Sequence, residues 1–274
     1  MALDTWSNTI DTITAPTNVH MNPTHLIQRF APSLTAQQPP LDQDPRLLMD
    51  RDGEVSVYYA PFEHINPSAR LVLVGITPGP TQMVNANNAA RAALQQGQSL
   101  EEAVRLAKAT GAFSGAVLRR NLVAQLNDWG VQTWLGLSDA SELFGRARQL
   151  VHTTSLLRFP VFVGGHEYGG NPEMTRHSLL RRYLMEHFVN EVDQLPNAIF
   201  VPLGPKVQKV MDSLVREGVL GANRMASGML HPSGNCTYRI NYLLGDRRGP
   251  VPHATNPLPY DAGKLAFRQQ HLGG

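Results

Sequence analysis

The chain has 274 residues, of which 42% are hydrophobic and 17% charged, so it can bury a sizeable core in one domain. Its 24 Lys and Arg residues against 22 Asp and Glu give a net charge of +2, so nucleic-acid binding would require a local basic face. The single cysteine, Cys236, excludes a disulfide framework, a zinc ribbon and a four-thiolate iron–sulfur cluster within one chain, and it indicates a reducing compartment.

The N-terminal segment is polar and lacks the basic and apolar regions of a signal peptide, and no window reaches the roughly 18 apolar residues of a membrane span. We therefore expect a cytoplasmic protein without membrane contact. Residues 1–50 are rich in Pro, Gln and Thr, which predicts a peripheral N-terminal arm with one helix at the apolar stretch 25–30. Residues 51–274 are predicted to form the globular domain.

Strand patterns alternate with helix patterns along this domain. Apolar, β-branched runs predict strands at residues 55–59, 71–74, 151–157 and 198–203, and a further short strand just before His231. Capping and apolar periodicity predict two helices between residues 99 and 130, one at 177–195, and one from Pro205 to Gly218. This alternation is typical of an α/β fold with a mostly parallel sheet, in which ligands bind at the carboxyl ends of the strands.

Two loops carry chemistry at predicted strand ends. The first, Gly75-Ile76-Thr77-Pro78-Gly79, combines glycines that permit close backbone approach with prolines that stiffen the turn, which suits binding of a phosphate, a water or a base edge. The second, residues 228–235, presents the imidazole of His231 and the hydroxyl of Ser233 together. Each loop alone is more typical of a plain turn, and the pair indicates a site.

The ordered pair resembles the two motifs of the uracil-DNA glycosylase superfamily, Gly-x-(Asn/Asp/Ala)-Pro-Gly after the first core strand and His-Pro-Ser near the end. Gly111-Ala112-Phe113-Ser114 and residues 151–160 also stand where that family has its stacking aromatic and its base-recognising strand. The resemblance covers about residues 55–250, and the loop form is most similar to that of the single-strand-selective and mismatch-specific uracil glycosylases. It implies a three-layer α/β/α fold around a central, mostly parallel four-stranded sheet, and a monomer that acts on DNA without a metal or cofactor.

The resemblance also implies a role for each site residue. His231 would donate a hydrogen bond to the flipped base, Thr77 stands where most relatives carry the Asn or Asp that activates water, and Asn85 is a candidate to replace it. The predicted base-binding residues are Gly75, Ile76, Pro78, Phe113, Thr154 and Ser155. The predicted DNA-binding residues are Gly79, Ser233, Gly234, Asn235, Tyr238 and Arg239, with Tyr238 or Arg239 filling the vacated stack. Further candidates for the water are Gln82, Asn87, Asn88, Glu63 and His64.

Two departures from the family pattern bear on the substrate. Thr77 cannot act as a base near neutral pH, and Thr154 stands where many relatives read uracil with an Asn amide. An Ala- and Gln-rich insert, residues 84–109, would either roof the pocket or form a surface hairpin. We therefore expect a glycosylase for a modified pyrimidine such as glucosylated hydroxymethylcytosine in phage DNA, as in the anti-phage member of the superfamily. The alternatives are a repair glycosylase for uracil or another damaged base, and a catalytically inactive DNA-binding protein.

Overall fold

The computed structural model describes residues 25–273, so the first part of the predicted N-terminal arm, residues 1–24, lies outside the described chain. The strands are β1 (Leu48–Asp52), β2 (Val55–Tyr58), β3 (Leu71–Gly75), β4 (Val151–Ser155), β5 (Val161–Val163), β6 (His166–Glu167) and β7 (Ile199–Pro202). The helices are α1 (His25–Thr35), α2 (Pro80–Gln95), α3 (Leu100–Gly111), α4 (Ala116–Trp129), α5 (Val131–Leu135), α6 (Ser178–Tyr183), α7 (Asn190–Gln194), α8 (Pro205–Arg216), α9 (Thr237–Leu244) and α10 (Pro257–His271). A π-helical segment, Leu184–Val189, joins α6 to α7.

A three-stranded parallel sheet lies at the centre of the molecule. Its order is β4-β3-β7, and β3 pairs with both neighbours in parallel register. All five residues of β3 and all four of β7 are buried, as is typical of uninterrupted apolar strands in a parallel sheet. The predicted α/β class and the predicted core strands are confirmed.

The prediction of a fourth parallel strand before His231 is wrong for the described chain. The segment after α8 contributes only an isolated parallel bridge between Phe200 and Met225, and the backbone amide of Ala226 still donates to Phe200 at 2.9 Å. The ladder then breaks at Gly228, whose φ of 121° is outside the strand region and whose backbone packs so tightly that a Cβ would lie 2.3 Å from the Pro259 carbonyl oxygen.

A second, antiparallel sheet was absent from the sequence prediction. Its order is β1-β2-β5-β6, and only β2 had been predicted as a strand. The two-residue turn Gly164-Gly165 joins β5 to β6, and both glycines have positive φ, as tight hairpin turns require. The hairpin brings Glu167, at the end of β6, back toward the parallel sheet.

Four helices, rather than the predicted two, connect the first motif to β4 in this fully described stretch. Helix α2 begins at Pro80, directly after the motif, and α3 begins after Ser99, whose side chain accepts a hydrogen bond from the Glu102 amide as the capping pattern predicted. Small buried residues let these two helices pack closely against each other, namely Ala86, Ala90, Ala93, Ala103 and Ala107. The insert is therefore a packed helical hairpin.

The outer helices complete one core. Helix α1 forms where the apolar stretch 25–30 predicted a helix and buries Ile27, Phe30 and Leu34. Helix α4 ends at Gly130, whose left-handed backbone (φ 84°) is the predicted stop, and α10 packs Phe267 against Trp129 at its end. Among residues 25–273, no helix has the length and apolarity that crossing a membrane requires.

Candidate active site

One large cavity of about 740 Å³ opens at the carboxyl ends of the parallel strands. It lies where an open α/β sheet is expected to bind its ligand. Nine of the residues predicted from the sequence line it: Gly75, Ile76, Thr77, Phe113, Ser155, His231, Ser233, Asn235 and Arg239. The two motif loops, far apart in the chain, therefore meet at a single cavity.

The first motif loop needs glycine at its start because two side chains approach it. A Cβ at Gly75 would lie 3.2 Å from Ser155 Oγ and 3.5 Å from Phe113 Cζ. Phe113 itself has a φ of 50°, a conformation that bulky residues rarely adopt, and its amide donates to Gln82 Oε1 at 3.2 Å. The strained backbone thus holds the aromatic ring against the end of β3.

Thr77 uses its hydroxyl to hold the backbone together. Its Oγ1 donates to the Phe159 carbonyl at 3.0 Å and accepts from the Val161 amide at 3.1 Å, and the residue is 7% exposed. Because the hydroxyl donates to Phe159 and accepts from Val161, it is committed to the backbone, and an alcohol is too weak a base to take a proton from a water near neutral pH. Its contribution is to tie the first motif loop to the start of β5.

The second motif loop presents a neutral imidazole to the cavity. His231 Nδ1 accepts a hydrogen bond from the Ser233 amide at 3.3 Å, so the proton lies on Nε2. Burial lowers the pKa of His231 below its ordinary value, which keeps the ring neutral at neutral pH. Gly204, two residues after the end of β7, packs against His231, and a Cβ on Gly204 would lie only 3.0 Å from the His231 Cβ.

Two buried amides on α4, which the sequence analysis did not single out, hold this loop in place. Gln125 accepts from the Leu230 amide at 2.9 Å and donates to the Leu230 carbonyl at 3.2 Å. Asn121 donates to the carbonyls of Pro232 and Ser233 at 3.1 and 3.3 Å. Both residues are almost fully buried. In the sequence, this role is indicated by two amide side chains that lie four residues apart, on the helix face that carries Leu122 and Leu126.

A carboxylate in the cavity wall was also missed. Glu167 is the only acidic residue among the described residues that line the cavity, and its Oε1 lies 2.7 Å from the position that a Cβ on Gly79 would occupy. Burial raises the pKa of Glu167. The apolar run Val161-Phe162-Val163 followed by Gly164-Gly165 is a hairpin signal that could have revealed its position.

Six predicted site residues do not line the cavity as residues 25–273 define it: Asn85, Pro78, Thr154, Gly79, Gly234 and Tyr238. Asn85 donates to Ser114 Oγ at 3.1 Å, whereas Gly234 and Tyr238 lie on the solvent side of the second loop, with Tyr238 68% exposed. Pro78 and Thr154 line a much smaller cavity behind Phe113. No residue of the insert 84–109 borders the large cavity, so in the described structure the hairpin does not roof it.

The chain is similar to a protein of Bacillus subtilis (strain 168), the uncharacterized protein YoxB. The two are 35% identical over 195 residues, which cover 70% of this chain and 76% of YoxB. The chain belongs to the YoxB family. No protein-family model matches the chain. No solved structure matches it either.

In this member of the YoxB family, a buried ionic cluster lies behind the cavity wall. Arg158 Nε donates to Glu191 Oε1 at 2.8 Å, and His152 Nε2 lies 3.3 Å from Glu191 Oε2. Burial alone would raise the pKa of Glu191, but the neighbouring cations Arg158 and Lys108 hold it well below its ordinary range. Burial lowers the pKa of Lys108 to about 8. Lys108 and Arg158 also line the small cavity beside Thr154 and Phe113.

Apart from Gln82, the other candidates for activating water do not line the large cavity. Glu63 is buried and accepts a hydrogen bond from the Tyr59 hydroxyl at 2.8 Å, and His64 lines a separate cavity of about 230 Å³. Asn87 is fully buried and Asn88 is exposed. Within residues 25–273, no three His, Cys, Asp or Glu side chains converge closely enough to hold a metal ion.

Proposed function

We propose that the chain is a DNA N-glycosylase that flips a base and hydrolyses its N-glycosidic bond, leaving an abasic site. The observation that carries the proposal is the meeting of both motif loops, Phe113 and Ser155 at one cavity on the carboxyl edge of the parallel sheet. With this function we also propose the fold of the uracil-DNA glycosylase superfamily, three layers around a central parallel sheet. DNA is the proposed partner, and a monomer is the proposed active form.

The leaving base requires stabilisation of negative charge. His231 carries its proton on Nε2 while Nδ1 is occupied by the Ser233 amide, so a neutral, fixed donor is available for a carbonyl oxygen of the base. Such a preorganised donor is worth more in the transition state than in the ground state, because charge develops as the bond breaks. The Phe113 ring would stack on the flipped base, a contact worth about 1–3 kcal/mol.

The second motif loop would meet the DNA. Gly234 begins a 3-10 helical turn, Gly234–Cys236, on the solvent side of the loop, and Tyr238 is 68% exposed. A Cβ on Gly234 would lie 3.7 Å from Val117, which is 43% exposed, so two exposed apolar side chains flank the loop. An exposed apolar side chain on this loop suits insertion into the space that the flipped base leaves. Arg239 supplies positive charge on the same wall.

The size of the cavity favours a bulky substrate. A volume of about 740 Å³ falls in the range of roughly 300–1,000 Å³ that holds a drug-sized ligand, far larger than a bare pyrimidine. Thr154, the residue at the family's uracil-reading position, lies outside the cavity wall. We therefore propose a modified pyrimidine such as glucosylated hydroxymethylcytosine, which makes the protein an anti-phage defence enzyme.

The test is a glycosylase assay that scores abasic sites in three DNAs: phage DNA with glucosylated hydroxymethylcytosine, a uracil-containing duplex, and an unmodified duplex. We expect cleavage of the modified phage DNA alone. The substitution His231→Ala should lower the rate by about 10²–10³-fold, whereas the exposed control His253→Ala should leave it unchanged.

Two other outcomes would overturn parts of the proposal. Cleavage of uracil DNA alone would replace the modified substrate by a repair function. Absence of abasic sites in all three DNAs, together with DNA binding, would replace the enzyme by a binding protein.

A further inference from the structure

We infer that the carboxylate of Glu167 accepts the proton of the water that attacks the sugar, an inference that rests on the proposed glycosylase function. Three features of the structure lead to it. The carboxylate stands in the wall of the large cavity, it lies against the loop that carries the first motif, and the other titratable side chains of that wall are already engaged in hydrogen bonds.

The first feature is the placement of the carboxylate. Glu167 pairs with Phe162 across the β5–β6 hairpin, and the Tyr168 amide donates to the Val161 carbonyl at 3.1 Å. The start of β5 is in turn tied to the first motif by Thr77, through the Val161 amide. Thr77, which stands at the superfamily's water-activating position, thus joins the first motif loop to the hairpin that carries Glu167.

The second feature is contact with the loop itself. Glu167 Oε1 lies 2.7 Å from the position that a Cβ on Gly79 would occupy, so the carboxylate stands directly against the first motif loop. Within residues 25–273, burial is the one influence that shifts the pKa of the Glu167 carboxyl, and no hydrogen bond from a neighbouring group contributes to it. Both oxygens are therefore available to a water in the cavity.

The third feature is the engagement of Thr77 and of the other titratable side chains in the wall. Thr77 gives its proton to Phe159, His231 has one nitrogen occupied and the other protonated, and the Tyr168 hydroxyl donates to the Pro172 carbonyl at 2.6 Å. Burial raises the pKa of Tyr168 to about 12, so the phenol stays protonated. Cys236 Sγ accepts from Arg239 at 2.9 Å.

Glu167 as a whole is exposed to solvent, and its carboxyl is partly shielded from water. Burial raises the pKa of Glu167 above its ordinary 4.5, which brings the group closer to the pH at which a general base works best. The other titratable groups that line the cavity are Tyr168, Lys206, His231, Cys236 and Arg239. The Lys206 ammonium donates to the Gly169 carbonyl, two residues from Glu167, and so lies near the same wall.

Hydrolysis of the N-glycosidic bond needs water as its only co-reactant. A bond forms between the water oxygen and C1′ of the deoxyribose, and the bond from C1′ to the base nitrogen breaks, with its electron pair leaving on the base. The proton from the water passes to Glu167 and is then released to the base or to solvent. His231 donates its hydrogen bond to the base while this charge develops.

The test is single-turnover cleavage, across a range of pH, of whichever duplex the wild type cleaves: one carrying glucosylated hydroxymethylcytosine or one carrying uracil. We expect Glu167→Gln to lower the rate by about 10²–10⁴-fold without changing the Kd for the duplex. The wild-type rate should rise with pH as the carboxyl ionises, and Glu167→Gln should remove this rise. In Glu167→Ala, added formate should restore part of the rate.

The matched control is Glu173→Gln, because the Glu173 carboxylate pairs with Lys209 at the surface, away from the cavity lining. It should retain the wild-type rate. A loss of less than about tenfold in Glu167→Gln would overturn the inference while leaving the glycosylase intact. A covalent adduct between Lys206 and the DNA, trapped by borohydride, would also overturn it, since the amine would then be the nucleophile. A wild type that cleaves neither duplex would overturn the proposed function and the inference together.

Discussion

At the scale of single residues, Glu63 shows how strongly burial controls ionisation in this molecule. Its carboxyl is fully buried, accepts a hydrogen bond from the Tyr59 hydroxyl, and has one oxygen without a hydrogen-bond partner among the described residues. Burial raises its pKa from 4.5 to about 7, against the opposing hydrogen bond and the cations Arg158 and Lys108. The folded protein therefore holds a proton that the unfolded chain would release.

The raised pKa of Glu63 makes the stability of the protein depend on pH. Between pH 4.5 and about 7 the folded state binds more protons at Glu63 than the unfolded state, so the stability due to this group falls as pH rises through that window. Glu63→Gln lacks this titration. Its free energy of unfolding, relative to that of wild type, should therefore rise by about 3 kcal/mol as the pH goes from 4.5 to about 7. Urea unfolding below and above the window measures the difference. The exposed control Glu54→Gln should track wild type, and a constant offset for Glu63→Gln would contradict the prediction.

The sequence predicted those site residues whose position follows from the two motifs. His231, Phe113, Ser155 and the first loop lie at the cavity because short loops directly follow predicted strands or precede a predicted helix. The role of Thr77 could not be predicted in this way, since its partners are Phe159, in the segment before β5, and Val161, in the antiparallel sheet. Such a long-range hydrogen bond leaves no local pattern.

At the scale of elements, α4 has two functions in the fold. Its apolar side chains Leu122 and Leu126 enter the core, while Asn121 and Gln125 hydrogen-bond to the backbone of residues 230–233. A buried backbone segment outside a regular sheet needs such partners, because the strand that would have supplied them breaks at Gly228. The position of His231 therefore depends on a helix more than 100 residues earlier in the chain.

Substitution of Gln125 tests this dependence. In Gln125→Ala, the amide and carbonyl of Leu230 lose their partners, which should lower the free energy of unfolding by about 1–3 kcal/mol. Because His231 follows directly, the cleavage rate should fall as well, with a smaller change in Kd for DNA. The exposed helical residue Gln95 provides the matched control, Gln95→Ala. If Gln125→Ala loses stability yet keeps the full rate, the loop is not positioned by α4.

The elements differ in how well the sequence predicts them. The strands β3 and β7 are uninterrupted apolar runs, and α3 and α8 carry a capping residue and an N-terminal proline, so local physics determines them. The strands β5 and β6 have only three and two residues, too few for a period to appear, and Glu167 was missed with them. The fourth parallel strand fails for a tertiary reason, the close packing of Gly228 on Pro259.

At the scale of the whole molecule, the cavity is assembled from segments that lie far apart in the chain. The first motif, Phe113, the β5–β6 hairpin and the second motif each contribute one part of its wall, and helix α10 packs behind the second motif. The close approach of α10 is visible at Gly263, where a Cβ would lie 1.9 Å from the Ser227 carbonyl oxygen. Only tertiary packing brings these groups together, so the motif order could predict a shared site but not its volume or its carboxylate.

The central claim is that this cavity releases a modified pyrimidine from DNA. Its most direct test is mass spectrometry of the small molecules freed when the purified protein acts on phage DNA that contains glucosylated hydroxymethylcytosine, with His231→Ala as the control. We predict release of the intact glucosylated base, matched by an equal number of abasic sites, and little release by His231→Ala. Release of uracil alone from uracil DNA, or of no base from either DNA, would contradict the claim.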